Sequence, residues 1–521
     1  MIWRGRCGIM AAALLAGLLA VAGTPASLAQ EITAAQVQAG LPGLETLAKE
    51  ALLRTGVPGA AVAVVYQDKV VYLKGFGTRT AGGKDAVDAD TVFDLSSIAK
   101  PILATVVAGL VGDGVVGWDD KIADLDPGFA LQDDLASRDL TVRDLLSHRS
   151  GLPEYAGDLL KDLGFDRATI LQKLRYVRPA SSLRARFAFC NYCYAEGILA
   201  AVKPTGKPWE QVAAERLYKP AGMAATSSRH ADFGAAANRA IGHLRVEGVW
   251  TPATGFNDDP ASGADVSSTA RDVARWMRLE LGGGRLDGKQ LVAAEALAET
   301  QRPQIVADPP KDPATNRAGF YGLGWDINYD DRGRVMLSHS GASAAGVATA
   351  VYLLPGEGLG IVVLTNAFPV GVPEAIGVGF LDLLAHGSLQ RDWIEVFGQA
   401  FADLIASLWH PAADYARSPA NASPALAEDA YAGTYANDLF GEIEVAAVAG
   451  GLELRLGPRK KPYALKHWDR DAFTYQPTGE YAFGPSGVWF TIGPQGQATS
   501  VVIEQLNGNG QGRFGRVMVA K

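Results

Sequence analysis

Three cysteines in a chain of 521 residues are too few for a disulfide-stapled scaffold. The seven histidines are scattered, with no His-Glu-x-x-His motif and a single closely spaced cysteine pair, so we expect no metal site. Long basic blocks are missing too, and the net charge is −8, which argues against a nucleic-acid partner. After residue 30, no stretch reaches the ~18 uninterrupted apolar residues that a membrane-spanning helix requires.

The N-terminal segment differs in composition from the rest of the chain. Arg4 and Arg6 precede a short apolar run, and Ser27 and Ala29 stand at the −3 and −1 positions of a plausible cleavage site. The apolar run is too short to span a bilayer. We therefore expect residues 1–29 to be a cleaved signal peptide. The mature protein would then be periplasmic or secreted, without a stable membrane anchor.

The order of the predicted elements indicates the fold class. One hydrophobic core does not normally organise 521 residues, so we expect more than one folded unit. A helical pattern over residues 36–56 precedes two β-like runs that are typical of a hairpin. Residues 160–300 are mostly helical in character, and several β-like runs with one closing helix follow. This order predicts an α/β (α+β) fold with a helix-flanked sheet built from both ends of the sequence and an inserted helical subdomain.

The C-terminal part has a different texture. Proline, alanine and serine dominate residues 411–426, a composition typical of a linker. From Tyr431 onward, short alternating apolar runs are separated by glycine-containing turns. We expect a helix and linker over residues 396–427 and an all-β module, a barrel or a sandwich, over residues 428–521.

One short stretch, "FDLSSIAKPILA", carries a candidate nucleophile. Ser97 precedes an apolar helical run, and Lys100 follows at i+3 on the same face, within reach of the Ser97 hydroxyl. A lysine acts as a general base only when it is neutral, which requires desolvation or nearby positive charge. The structural alternative is a helix-capping serine beside a lysine whose amine reaches solvent.

The closely spaced cysteine pair, "CNYC", comprises Cys190 and Cys193. In an oxidising compartment such a pair could form a disulfide or a redox site. We favour two small packing residues at the start of a helix, because free cysteine is commonly buried.

Seven stretches together resemble the serine hydrolases related to penicillin-binding proteins and class C β-lactamases. "FDLSSIAK" is similar to the nucleophile motif of that family, which includes D-aminopeptidases, DD-peptidases and esterases. Six further stretches resemble the family in the same order: "LTVRDLLSHRSGLP", "RFAFCNYCYAEGILA", "SGADVSSTARDVARWM", "YGLGW", "LSHSG" and "PGEGLGIVVLTNA". The resemblance implies a β-lactamase-like transpeptidase fold with an antiparallel sheet over residues 33–395. "YAGTYANDLFGEIEV" and "LKHWDRDAFTY" resemble the small lipocalin-like β domain that follows some members.

The resemblance also implies roles for individual residues. Ser97 would be the nucleophile and Lys100 its base. His339 opens a His-Ser-Gly motif that corresponds to the Lys-Thr-Gly of many members, on an edge strand facing the nucleophile. It could polarise the site or contact a substrate carboxylate. Backbone amides of Ser97 and Ala342 would form the oxyanion hole. Four further residues are expected to line the substrate site: Tyr155, Phe189, Ser340 and Gly341.

The second family motif departs from its usual form. Members carry Tyr-x-Asn, where the tyrosine shares in proton transfer, whereas this chain has Phe189 and Asn191. Phenylalanine cannot transfer a proton, although Asn191 could still hydrogen-bond Lys100 or a substrate amide. Lys100 could act alone, activity could be low or lost, or another tyrosine could substitute. The nearby tyrosines are Tyr155, Tyr192 and Tyr194.

These features predict an exported serine hydrolase that acts through an acyl-enzyme on amides or esters and needs no cofactor or metal. Short peptides with D-residues lead the expected substrates, esters follow, and β-lactams come third because His339 replaces lysine. The alternative is a penicillin-binding or other ligand-binding protein whose turnover is weak or lost because of Phe189. An α/β-hydrolase is excluded, since "GASAAG" lacks the last glycine of Gly-x-Ser-x-Gly. The sequence does not indicate an oligomeric state.

Overall fold

A computed structural model describes residues 31–253, 266–408, 411–415 and 417–517. The predicted signal peptide, residues 1–29, lies outside the described residues. The helices are α1 (Ala34–Thr55), α2 (Ala99–Gly112), α3 (Ile122–Leu125), α4 (Asp134–Asp139), α5 (Val142–Leu146), α6 (Asp158–Asp162), α7 (Arg167–Lys173), α8 (Asn191–Val202), α9 (Trp209–Ala213), α10 (His230–Ala235), α11 (Ala270–Leu281), α12 (Ala294–Thr300), α13 (Val372–His386) and α14 (Trp393–Ser407).

The strands fall into one large sheet, one barrel and three short pairs. Up to residue 365 they are β1 (Gly59–Tyr66), β2 (Lys69–Gly77), β3 (Phe93–Asp94), β4 (His243–Val246), β5 (Val249–Pro252), β6 (Ser267–Ser268), β7 (Arg285–Leu286), β8 (Lys289–Gln290), β9 (Ile305–Asp308), β10 (Gly319–Tyr321), β11 (Asp326–Tyr329), β12 (Val335–Ser343), β13 (Val347–Leu354) and β14 (Leu359–Thr365). The barrel strands are β15 (Gly433–Asn437), β16 (Gly441–Val448), β17 (Gly451–Leu456), β18 (Lys461–Asp469), β19 (Ala472–Tyr475), β20 (Ser486–Ile492), β21 (Ala498–Ile503) and β22 (Arg513–Arg516).

The large sheet confirms that both ends of the hydrolase-like region build one layer. Its strand order is β2-β1-β14-β13-β12-β11-β10-β9, and every pairing is antiparallel. The N-terminal hairpin therefore lies against β14, and the helical region between β2 and β9 forms the predicted insertion. Helix α1 begins with a capping box at Thr33 and ends at Gly56, whose φ of 70° is the left-handed conformation that favours glycine.

The sheet is covered on both faces because its central strands are apolar on both faces. In β1, Val62 and Val64 belong to the core shared with α1 and α13, whereas Ala61 and Ala63 belong to the core shared with α2 and α11. Strand residues alternate between faces, so the run "GAAVAVVY" can be buried throughout. One face of the sheet therefore supports the helical region, and the other packs against α1 and α13.

One prediction about this sheet is wrong. The strand that carries His339 is not an edge strand, since β12 lies between β11 and β13. However, β11 pairs with β12 only over Val335–Ser338. Within the described residues, His339–Ser343 therefore has no strand partner on the β11 side, and this part of β12 offers a local edge.

The C-terminal strands form a closed antiparallel barrel, one of the two predicted architectures. Strands β15 to β22 pair in sequence order, and β22 returns to β15 through Tyr435 and Arg516. Beyond Ile32 the chain is one compact unit, and the barrel and helical region share a hydrophobic core. The predicted division at residues 396–427 stays a prediction. Among the described residues, no helix has the length and apolarity that crossing a bilayer demands.

The buried carboxylate of Asp144 fixes the segment of the chain between α5 and α8. Asp144 is fully buried and accepts hydrogen bonds from Arg149 Nε and Arg184 Nη2, both at 2.7 Å. It also closes a capping box with Thr141 at the start of α5. Burial acts to raise the pKa of Asp144, but these hydrogen bonds outweigh burial and lower the pKa below its usual value. The network therefore stabilises the fold only while Asp144 is ionised.

We predict that Asp144→Asn lowers the free energy of unfolding by about 3 kcal/mol, because it leaves the mostly buried Arg149 and the half-exposed Arg184 without their counter-charge. Urea unfolding at pH 7 measures this loss. The matched control is Asp139→Asn, which removes an exposed ion pair with Lys121 and should cost less than about 1 kcal/mol. Because the folded pKa of Asp144 is lowered, the difference between wild type and Asp144→Asn should shrink as the pH falls below about 4. Equal stability of the two variants at pH 7 would contradict this account.

Candidate active site

Ser97 lies in a 3-10 turn, Ser96–Ile98, that leads directly into α2. The preceding residue, Ser96, has a φ of 49°, and its amide donates to Asp94 Oδ1 at 2.7 Å. The Ser96 hydroxyl donates to the carbonyl oxygen of Ala342 on β12 at 2.9 Å. The strained turn is thus tied to the sheet, which fixes the position of the Ser97 backbone.

Lys100 occupies the first turn of α2 and points back to Ser97. Its Nζ lies 2.9 Å from Ser97 Oγ, and the residue is only 6% exposed. Burial lowers the pKa of Lys100 from 10.5 to about 8, although three carboxyl groups oppose the shift: Asp158, Glu480 and Asp326. A large fraction of the amine is therefore neutral near pH 8. The structural alternative fails on geometry, because Ser97 does not cap the helix and the amine does not reach solvent.

Asn191 begins α8 and contacts Lys100 from the opposite side. Its Oδ1 accepts a hydrogen bond from Lys100 Nζ at 2.9 Å, as the sequence suggested. Its Nδ2 donates to Asp158 Oδ2 at 2.8 Å. The amide therefore links the candidate base to a buried carboxyl that sequence reasoning did not identify.

Phe189 forms an aromatic wall beside the amine. Lys100 Nζ lies 4.6 Å from the centre of the Phe189 ring, and the ring packs at 4.5 Å on His148. Tyr155 lies against the same ring at 5.8 Å, and its amide donates to the carbonyl of Phe189. Phe189 therefore lies beside Lys100 with Tyr155 packed against it, and their role in lining a substrate site stays a prediction.

The other two tyrosines suggested by the sequence lie on α8. Tyr194 donates its hydroxyl proton to the backbone carbonyl of Lys100 at 2.7 Å, so it positions α2. Tyr192 is a buried core residue of α8 that packs against Gly157.

His339 is buried on β12 and interacts with Tyr321. Its Nδ1 lies 2.8 Å from the carbonyl oxygen of Ser340, and its Nε2 lies 3.1 Å from the hydroxyl of Tyr321. A carbonyl oxygen only accepts, so Nδ1 carries the proton and Nε2 accepts from the tyrosine. Burial and the charge of Lys100 lower the pKa of His339 to about 3. A neutral imidazole can polarise the site, but it cannot form an ion pair with a substrate carboxylate.

The remaining two residues of the motif have different surroundings. The backbone of Gly341 lies so close to Ser97 that a Cβ there would be 3.0 Å from Ser97 N and 2.2 Å from Thr349 Oγ1. Side chains alternate along a strand, and Ser340 lies on the opposite face, beside the buried Glu374 of α13. The expectation that the Ser340 side chain lines the substrate site is therefore wrong.

The cysteine pair also differs from our preferred interpretation. Cys190 and Cys193 form a disulfide at the N terminus of α8, so they are not free packing residues. The amide of Cys190 donates to His148 Nδ1 at 3.1 Å, and Cys190 Sγ accepts from the amide of Cys193. The cross-link spans Asn191 and so fixes the turn that holds it.

Several residues of the site were missed from the sequence. His148 lies in the stretch "LTVRDLLSHRSGLP" that carried the family resemblance, so its motif was a usable signal. Asp158, Asp326 and Tyr481 had none, because they lie in unremarkable local sequence and meet the site only in the folded chain. Among the described residues, no group of three or more metal-ligating side chains occurs.

Comparisons with known proteins agree with this geometry. The family model described as Beta-lactamase matches residues 34–385, and a domain of unknown function, DUF3471, matches residues 417–513. Penicillin-binding protein 4 of Amycolatopsis lactamdurans is 31% identical over 60% of this chain and 81% of its own length. The unguisins hydrolase ungD of Aspergillus violaceofuscus is 23% identical over 85% of this chain and 86% of its own.

Two further relatives extend the comparison. The D-alanyl-D-alanine-carboxypeptidase/endopeptidase AmpH of Escherichia coli K12 is 22% identical over 64% of this chain and 85% of its own. The solved structure of an octameric penicillin-binding protein homologue from Pyrococcus abyssi matches the fold with a TM-score of 0.59 at 19% identity. It covers 91% of this chain and 99% of that chain. The family model spans well over half of the sequence, and the chain therefore belongs to the β-lactamase family as a serine hydrolase with a C-terminal β-barrel.

Proposed function

We propose that this protein is an exported hydrolase that cleaves amide or ester bonds through an acyl-enzyme on Ser97. The observation that carries the proposal is the 2.9 Å contact between Ser97 Oγ and the amine of a buried lysine, Lys100. Short peptides, including those with D-residues, are the leading substrates, and esters follow. The relatives named as a carboxypeptidase/endopeptidase and as a hydrolase of unguisins support an amide-cleaving activity.

The proposed acylation uses the contact between Ser97 and Lys100. Neutral Lys100 takes the hydroxyl proton of Ser97 while Oγ forms a bond to the substrate carbonyl carbon. The carbonyl electron pair moves onto oxygen, where the amides of Ser97 and Ala342 stabilise the charge. The tetrahedral adduct then expels the amine or alkoxide, which takes the proton from the Lys100 ammonium. In deacylation, water gives a proton to Lys100 and attacks the acyl carbon, and Oγ recovers the proton from the ammonium.

The division of the chain belongs to the same proposal. Residues 1–29 would direct export and be removed, which accords with the disulfide between Cys190 and Cys193. The hydrolase domain would occupy residues 33–395, followed by a helix and linker over 396–427 and the β domain over 428–521.

A ligand-binding protein with weak or lost turnover is the second candidate. The observation that favours it is Phe189, whose ring faces Lys100 where the family tyrosine would offer a hydroxyl. In such a protein Ser97 would still be acylated, but release of the acyl group would be slow.

We predict that a fluorophosphonate probe forms a covalent adduct on Ser97 and that Ser97→Ala abolishes both labelling and hydrolysis of an activated ester, by at least about 1,000-fold. Intact-mass and peptide mass spectrometry locate the adduct, and a panel of D- and L-aminoacyl amides, short peptides, esters and nitrocefin ranks the substrates. Ser407→Ala, which changes an exposed serine at the end of α14, is the control and should behave as wild type. Ester hydrolysis by folded Ser97→Ala would refute the assignment of the nucleophile.

We predict that Phe189→Tyr raises kcat about 10-fold for a peptide amide but changes it little for an activated ester. The added hydroxyl can protonate a leaving amine, whereas an activated alcohol leaves without a proton. Steady-state kinetics on both substrate types measure this difference. The control is Phe187→Tyr, which also packs against His148. If wild type forms adducts on Ser97 but does not turn over substrate, whereas Phe189→Tyr does turn it over, the ligand-binding candidate is established. Equal amide rates in all three proteins would contradict the prediction.

We predict that Gly341→Ala lowers kcat about 100-fold in a protein that still folds. The new Cβ would push β12 away from Ser97 N and so separate the two amides of the proposed oxyanion hole. Gly356→Ala is the control, because a Cβ at that position meets no heavy atom within 4 Å. Circular dichroism establishes folding, and wild-type kcat in folded Gly341→Ala would exclude β12 from the oxyanion hole.

A further inference from the structure

A loop of the C-terminal barrel reaches the candidate active site. This barrel loop, residues 476–485, connects β19 with β20 and lies on α6. The amides of Glu480 and Tyr481 donate to the two carboxylate oxygens of Asp162 at 2.9 and 3.0 Å. A Cβ on Gly479 would overlap the same carboxylate, so the backbone is seated directly on it. These backbone contacts hold the loop in place and do not involve the side chain of Tyr481.

The Tyr481 side chain extends past this anchor into the site. Its hydroxyl donates to Asp158 Oδ2 at 2.6 Å, across 323 residues of sequence. The same Oδ2 accepts from Asn191 Nδ2 at 2.8 Å. With the contacts of Asn191 to Lys100 and of Lys100 to Ser97, a continuous hydrogen-bond chain runs from the barrel to the nucleophile.

The direction of each hydrogen bond follows from the ionised carboxylate. Ionised Asp158 only accepts, so Asn191 must present Nδ2 to it and therefore presents Oδ1 to Lys100. An N–H of the neutral amine is then engaged by Asn191, and its lone pair remains available for the Ser97 hydroxyl proton. A protonated Asp158 could donate instead, which would allow Asn191 to turn and offer its Nδ2 to the lone pair of Lys100. That orientation would block the base.

We propose that Asp158 and Tyr481 are positioning residues, and that the C-terminal barrel thereby completes the hydrogen-bond chain that orients Lys100 through Asn191. This inference rests on the proposed roles of Ser97 and Lys100. It gives the barrel a part in the reaction.

The electrostatics around Asp158 give the proposal a pH signature. Burial raises the pKa of Asp158 to about 7, whereas the hydrogen bonds from Tyr481 and Asn191 lower it. Glu480 of the barrel loop raises this pKa further, and Lys161 of α6 lowers it. Tyr155 packs on Tyr481 at 5.8 Å, and the burial-raised pKa of its phenol keeps it neutral in this range. Lys100 faces Asp158 through Asn191, and the negative charge of Asp158 opposes the lowering of the Lys100 pKa.

Removing the Tyr481 hydroxyl should therefore raise the pKa of Asp158. We expect Tyr481→Phe to lower kcat about 10-fold at pH 7 with little change in KM, and to move the acid limb of the kcat profile to higher pH by about one unit. Activity should recover towards that of wild type above pH 9. Stopped-flow or plate-based ester kinetics between pH 5 and 10 measure both effects.

Tyr463→Phe is the matched control. The Tyr463 hydroxyl contacts Thr478 Oγ1 of the same barrel loop at 3.0 Å, so its loss perturbs the loop without removing a donor from Asp158. We expect Tyr463→Phe to keep the wild-type pH profile. A merely structural role for Tyr481 would lower kcat uniformly across the pH range, and this result would overturn the inference.

Asp158→Asn provides a second variant that does not depend on the folding of the barrel loop. Its side chain cannot ionise, so high pH should not restore wild-type kcat. Because the negative charge that favours the ammonium form of Lys100 is gone, the acid limb should move to lower pH, opposite to the shift in Tyr481→Phe. Shifts in the same direction, or a wild-type profile in either variant, would overturn the inference.

Labelling distinguishes failure of the inference from failure of the proposed function. If fluorophosphonate labels Ser97 in wild type and Tyr481→Phe equals Tyr463→Phe at every pH, the proposed function stands and the inference is wrong. If wild type carries no label at Ser97, the proposed function is wrong, and the inference fails with it.

Discussion

The removal of the Lys100 amine from water is the constraint on which the rest of the site depends. Taking the pKa from 10.5 to about 8 means that the surroundings as a whole, with burial the largest cause, disfavour the ammonium by about 3 kcal/mol relative to the neutral amine. An apolar helix, the Phe189 ring and the buried end of α8 enclose the amine and produce this shift. The nearby carboxyl groups oppose this shift, so the pKa of the amine remains near neutral pH. Such a pKa suits a group that, in the proposed mechanism, exchanges a proton with Ser97 in both directions.

Elements that are distant in sequence supply these groups, and the fold controls their distances. Ser97 and Lys100 share one helical turn, but the amide of Asn191 comes from α8, whose start is held by a disulfide and by His148. Strand β12 approaches from the sheet, and only glycine at position 341 permits that approach. The buried Asp144 network fixes the segment between α5 and α8, so a charge that touches no substrate supports the geometry of the site.

The sequence predicted the local parts of this arrangement and missed the long-range ones. Spacing and the family resemblance were enough to bring together Ser97, Lys100 and Asn191. The order of the β-like runs predicted the sheet, and alternation of apolar residues predicted an all-β module that could be a barrel or a sandwich. Strand neighbours cannot be counted from one segment, so β12 was assigned to an edge and Ser340 to the substrate face. Asp158 and Tyr481 meet across 323 residues, and no local pattern marks a hydrogen bond of that kind.

The loss of the family tyrosine changes what a phenol can do in this site. Phe189 keeps the ring that shields Lys100 but provides no proton. The phenol that reaches the chain of hydrogen bonds is that of Tyr481, and its proton is committed to Asp158. Burial raises the pKa of Tyr481 well above its usual value, so this phenol does not ionise during turnover. In the proposed mechanism it can therefore orient the base but cannot replace the missing acid, and protonation of the leaving group would rest on Lys100.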